Sequence, residues 1–177
     1  MKRGAIVVLL ASAITLAGAT AYVVTQDDTD ADPTTSSPRV GTVAPNWTLN
    51  TIDDAPITLS DTLGQPVVLA FGASWCEPCR KEYPMLERAR RTHAELRIVG
   101  VIEKDLPAKM RRFMNSLGAS WPVANDQTGD VAAQYLVKGL PETFFIHRDG
   151  TIQSHIIGEM SQDVLDKHLA AILAQVP

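Results

Sequence analysis

The sequence predicts an α/β domain in which a mixed central sheet carries helices on both faces. Short apolar runs rich in β-branched residues alternate with amphipathic, helix-permissive stretches. Two late runs are joined across Asp149-Gly150, a hairpin signal that adds antiparallel strands to a parallel beginning. A change of composition near residue 42 sets this domain apart from everything before it. At 177 residues, 45% of them hydrophobic, the chain fits one well-cored domain plus an extra segment.

The extra segment comes first. Lys2 and Arg3 precede the uncharged stretch "GAIVVLLASAITLAGATAYVV", Gly4 to Val24. At about 1.5 Å per residue it is long enough for a bilayer core of about 30 Å. Residues 1–24 are therefore expected to be a signal-anchor or a signal peptide. As an anchor it would cross the cell membrane once, with the start of the chain in the cytoplasm and the domain on the extracytoplasmic side. Small-x-small triplets at Ala17-Gly18-Ala19 and Ala19-Thr20-Ala21 keep cleavage open, which would make the product periplasmic or secreted. Residues 25–41, "TQDDTDADPTTSSPRVG", are acidic and rich in Pro, Ser and Thr, and read as a flexible linker.

The domain is expected over residues 42–177. "PVVLAF", Pro66 to Phe71, reads as a strand buried on both faces. A helix follows from Glu77 to about His93, with Met85, Leu86 and Ala89 inward and its Glu, Arg and Lys residues outward. "LRIVGVI", Leu96 to Ile102, is a second buried strand. Pro107 suits a first helical turn and Gly118 a stop, which bounds a helix over Pro107–Leu117. A short helix is expected from Gly129 to Leu136, then a hairpin of Thr143–His147 and Thr151–Ile157. Ser161 caps a last helix to Gln175, with Val164, Leu165, Leu169, Ile172 and Leu173 on one face.

A net charge of −4, with no basic cluster, argues against nucleic acid as a partner. The chemistry concentrates in the only two cysteines, Cys76 and Cys79. Cys76 falls where a buried strand gives way to a helix, so free N–H groups and the helix dipole favour its thiolate. Pro78 fits the same first turn, since its missing N–H would have had no intrahelical partner. Cys79 follows one turn later, within reach of Cys76. As a structural disulfide this small loop would constrain the unfolded chain little. As a metal site it lacks further ligands: His93, His147, His155 and His168 are scattered, and His93 and His168 are expected to be solvated on helices. Redox exchange remains, with Cys76 attacking and Cys79 resolving. It calls for no cofactor and no metal.

Three stretches carry a family resemblance: "GTVAPNWTL" (Gly41 to Leu49), "WCEPCRKEYPML" (Trp75 to Leu86) and "GLPETFFIHRDG" (Gly139 to Gly150). Together they resemble the membrane-anchored TlpA/ResA/CcmG group of thioredoxin-like thiol–disulfide oxidoreductases. The resemblance spans Val40 to Val176 and implies a thioredoxin fold with an N-terminal extension of the AhpC/TSA-redoxin type. It implies that Pro141 is the cis-proline beside the cysteines, leaving the backbone of Leu140 to pair with an extended substrate. It makes Trp75 a cover over the disulfide, Pro84 a kink in the active-site helix and Glu142 a residue that touches the partner. Gly158 matches a small residue facing the site. Glu103 falls near an acidic residue of the reductant members, where burial would raise its pKa and let it shuttle protons. Glu77 sets a negative charge beside Cys76 and opposes its thiolate.

Neighbouring families fit less well. Peroxiredoxins share the opening stretch, but Leu69 and Ala73 stand where peroxide-activating residues would fall. A copper-binding chaperone would space its cysteines further apart and add a histidine, for which His147 and His155 are the candidates. The resemblance implies a monomeric reductant in cytochrome c maturation. Its substrate would be apocytochrome c and its electron donor a thiol-transferring membrane protein, because an oxidising compartment would otherwise keep the pair closed. An oxidant of secreted proteins is the alternative.

Overall fold

The computed structural model describes residues 39–174. The expected signal-anchor, most of the linker and the end of the last helix at Gln175 lie outside the described residues. Among those described, no helix is long and apolar enough to cross a membrane.

A five-stranded sheet runs in the order β5-β4-β3-β6-β7. Strands β3 (Val67–Gly72), β4 (Arg97–Glu103) and β5 (Val123–Asp126) are parallel, while β6 (Glu142–Ile146) and β7 (Ile152–Ile157) run antiparallel. All six residues of β3 are buried. Alternation along the strand sends Val68 and Ala70 into one core and Val67, Leu69 and Phe71 into another. Helices α1 (Glu77–Thr92), α2 (Pro107–Leu117) and α4 (Gln162–Leu173) cover the first face through Leu86, Phe113 and Leu169. The short α3 (Asp130–Gln134) and the chain before β3 cover the second, through Val131, Trp47 and Leu59. This is the thioredoxin fold.

The N-terminal extension straps that second face. Near its start, Gly41 N–H donates to Ile152 O and Ala44 N–H to Gly150 O, at the β6–β7 turn. Beyond it come β1 (Thr48–Asn50) and β2 (Pro56–Thr58), an antiparallel pair of their own. Ile52 N–H then donates to Val123 O on the far edge strand.

Differences from expectation have local causes. β5 was not anticipated, because "VAND" offers two apolar residues before two polar ones. It becomes a strand by pairing with β4 from Gly100↔Val123 to Glu103↔Asp126. α3 is shorter than expected, ending before Leu136, which is left-handed at φ 60. His168 is not solvated: it is buried and packs on Phe145 at 5.3 Å. α2 keeps its expected bounds, with Gly118 left-handed at φ 64 as its cap.

Candidate active site

The site is built at the C-terminal end of β3, where the chain turns into α1. Cys76 is the N-cap of α1, and its sulfur accepts the Cys79 amide at 3.3 Å. The two cysteines form a disulfide, with Cα atoms 5.3 Å apart. Pro78 occupies the first turn and Pro84 lies inside the helix. The sulfurs are unequal, because Cys76 keeps a sliver of surface (4%) while Cys79 has none (0%).

Around them, Trp75 is 63% exposed, so it is no core residue. It lines a recess of about 260 Å³ with Glu103, Lys104, Val137, Lys138, Gly139 and Leu140. Asp105 ties down the loop ahead of Cys76 by accepting the Ser74 amide at 2.6 Å and its hydroxyl at 3.0 Å. Glu77 is exposed and pairs with Arg80 at 3.5 Å, which offsets part of its charge. The Leu140–Pro141 peptide is cis, and Pro141 O accepts the Gly158 amide at 2.9 Å. β6 begins at Glu142, so Leu140 lies just ahead of the sheet ladder.

Glu142 needs correcting. Expected to touch a partner, it is 1% exposed. One carboxylate oxygen accepts the amides of Lys138 and Gly139 at 2.8 and 3.0 Å, and the other meets His155 Nε2 at 2.7 Å. Burial works to raise its pKa, but the bonds from His155, Lys138 and Gly139 prevail and hold the carboxyl below its usual range. Glu142 therefore braces the cis-proline loop from inside. His155 stands opposite Phe144 on β6 and stacks on it at 3.8 Å, diagonal to Glu142. Its Nε2 is engaged in this way, and the described residues contain no cluster of His, Cys, Asp and Glu able to hold a metal.

Glu103 lines the recess beside Trp75 and is partly buried. Its carboxylate pairs with Lys104 at 2.6 Å and faces Gly129, where an added Cβ would stand 3.2 Å from it. A second buried acid is Glu82, one turn beyond Cys79 and 1% exposed. Burial raises its pKa to about 7, against the lowering effect of the Met160 amide bond and with help from Glu159. The i+3 spacing from Cys79 was the available signal, since it sets both on one face of the helix. Composition pointed the other way, because Glu82 sits among charged residues that read as a solvated side.

A dithiol pair at a helix N-cap, one sulfur reachable and one sealed, beside a cis-proline loop on this sheet, defines a thioredoxin-like protein-disulfide oxidoreductase. Comparison with known proteins agrees: the chain belongs to the AhpC/TSA family, whose profile matches residues 40–155. It is 31% identical over 136 residues to the thiol-disulfide oxidoreductase ResA of Bacillus thuringiensis strain Al Hakam, covering 76% of this chain and 79% of that one. With ResA of Bacillus subtilis strain 168 the identity is 32%, over 75% of each chain. Among solved structures, a secreted Mycobacterium tuberculosis disulfide oxidoreductase homologous to E. coli DsbE is 29% identical with a TM-score of 0.65, covering 71% of this chain and 95% of that one. These relatives make it a TlpA/ResA/CcmG-type thioredoxin-like protein.

Proposed function

We propose that this chain is an extracytoplasmic reductant of protein disulfides that acts on the Cys-x-x-Cys-His pair of apocytochrome c during cytochrome c maturation. The observation that supports it best is that Cys76 alone of the pair keeps a sliver of surface, next to the exposed Glu77, with Cys79 sealed behind it. An acid at the thiolate disfavours the reduced form and so makes the couple a stronger electron donor. The ResA likeness points the same way.

In the reaction, Cys76 thiolate attacks one sulfur of the substrate disulfide. The substrate S–S bond breaks, a Cys76–substrate mixed disulfide forms, and the departing thiolate takes a proton from solvent. Cys79 thiol then gives up its proton and attacks Cys76 Sγ. The protein disulfide forms and the second substrate thiolate leaves and is protonated. Two electrons pass from protein to substrate. Glu82, with its pKa about 7, receives the Cys79 proton in this scheme. Trp75 and Leu140 flank the bound segment, and a thiol-transferring membrane protein restores the dithiol. No prosthetic group takes part.

The test is the reduction potential of the Cys76–Cys79 couple, set against defined thiol buffers, together with trapping by Cys79→Ala. A potential at or below about −250 mV and a trapped mixed disulfide between Cys76 and apocytochrome c are expected. A potential above about −150 mV would make the protein an oxidant of secreted proteins instead.

A further inference from the structure

Tyr83 is fully enclosed, its ring set edge-on between Phe113 at 5.4 Å and Trp121 at 5.2 Å. Those contacts account for the ring and leave the hydroxyl unexplained. The hydroxyl is buried and has no hydrogen-bond partner. A buried polar group without a partner is uncommon and costly, so its position needs a reason. That position is the end of β3. A Cβ added to Gly72 would overlap the Tyr83 hydroxyl and come within 3.3 Å of Cys79 Sγ. Both atoms thus converge on the space left by the glycine, directly behind the disulfide.

The two sulfurs also differ in their polar support. Cys76 Sγ receives the Cys79 amide, whereas Cys79 Sγ accepts no hydrogen bond from the described residues of the oxidised protein. A disulfide sulfur is a poor acceptor and needs none. A thiolate is a strong one, and a thiolate at a fully buried position is costly without a donor.

We propose that Tyr83 is the positioning residue for the resolving step: its hydroxyl donates to Cys79 Sγ when the disulfide is open and supports the thiolate that closes it. The proposal rests on the dithiol-exchange reading of the site. The phenol donates a hydrogen bond and keeps its proton, while the Cys79 proton leaves separately as Cys79 Sγ attacks Cys76 Sγ. Burial, with the nearby charges of Glu82 and Asp105, pushes the Tyr83 pKa further up and keeps the hydroxyl a donor. In the oxidised state the hydroxyl waits without a partner, and in the reduced state the pair satisfies itself.

Tyr83→Phe removes only the oxygen and keeps the ring. The reduced full chain is mixed with an aromatic disulfide whose leaving thiolate is coloured. Attack by Cys76 releases the first thiolate and resolution by Cys79 the second. We expect Tyr83→Phe to slow the second phase about tenfold and leave the first within twofold. In a Cys76→Ser background, the pH at which Cys79 becomes alkylatable should rise by about one unit in Tyr83→Phe. An unchanged second phase, or equal slowing of both, overturns the proposal. Should the variant not fold, a chain that keeps Tyr83 decides through the tyrosine Raman doublet that reports phenol donation. Measured in a Tyr22→Phe chain, it must change on reduction, and Tyr135, already bonded to Pro45 O at 2.8 Å, contributes nothing to that change. These readouts need no protein substrate, so an oxidising potential would reject the cytochrome assignment while leaving this result standing.

Discussion

Helix α1 buries two glutamates about a turn and a half apart, and they are treated in opposite ways. Glu87 is met by Arg90 at 2.8 Å, Arg91 at 2.7 Å and the Ser120 amide. The Arg90 bond chiefly, with Arg91 and Ser120, outweighs burial and holds its pKa at about 2. Glu82, a turn and a half nearer the disulfide, has one backbone amide from Met160 and the like charge of Glu159, and burial carries it to about 7. The turn around Glu87 is finished as structure. The turn nearer the disulfide is left short of partners, at Glu82 and at the Tyr83 hydroxyl.

Replacing the acids one at a time should separate the two turns. Glu82→Gln should slow thiol exchange at neutral pH by about a hundredfold, in the range of a lost proton-transfer group, and erase any step near pH 7 in the rate profile. A profile that keeps its step would assign it elsewhere. Next in size is the pH dependence of folding. Glu82 has a folded pKa of about 7 against 4.5 unfolded, so its contribution is complete below about 4.5 and is lost as pH rises through 7. Glu87, about 2 folded against 4.5, contributes above about 4.5 and loses this as pH falls through 2. Each amounts to about 3 kcal/mol at most. Denaturant titrations of the oxidised domain should therefore lose stability between pH 4.5 and 7, and Glu82→Gln should flatten that slope.

Glu87→Gln should cost about 1–2 kcal/mol at pH 7 while leaving exchange rates unchanged, which denaturation and turnover measured side by side would check. The smallest effect concerns the exposed Lys81–Glu159 pair at 3.0 Å. Its loss should alter stability by less than about 0.5 kcal/mol. Glu159→Gln should nonetheless move the Glu82 midpoint down and Lys81→Ala move it up, by a few tenths of a pH unit, since Glu159 is among the charges acting on Glu82. Midpoints that ignore both changes would confine the raised pKa to burial alone.

Local signals in the sequence were read well. Pro107 and Gly118 bounded α2, Asp149-Gly150 placed the hairpin, and the strand-to-helix position of Cys76 pointed to its chemistry, because each depends on its immediate neighbours. What escaped was decided across the chain. β5 exists because β4 offers it an edge. Glu142 turns inward because His155 lies diagonal to it on the next strand and two amides of its own loop point at it. The burial of Glu82 escaped notice because no pattern of charged residues tells which glutamate a neighbouring loop will cover. The Tyr83 hydroxyl drew no notice for a similar reason: in sequence it is one aromatic on an apolar stripe, and only Gly72, on another element, gives it a setting.

The strap across the second face also begins away from the disulfide. The chain joins the domain beside Gly150 and Ile152, at the β6–β7 turn, while Cys76 sits past the opposite end of β3. Six strand residues separate the two poles, on the order of 20 Å. The first described residues and the reactive sulfur therefore lie at opposite ends of β3. A partner that reaches Cys76 therefore need not meet Gly41, Ala44 or the turn that they bind.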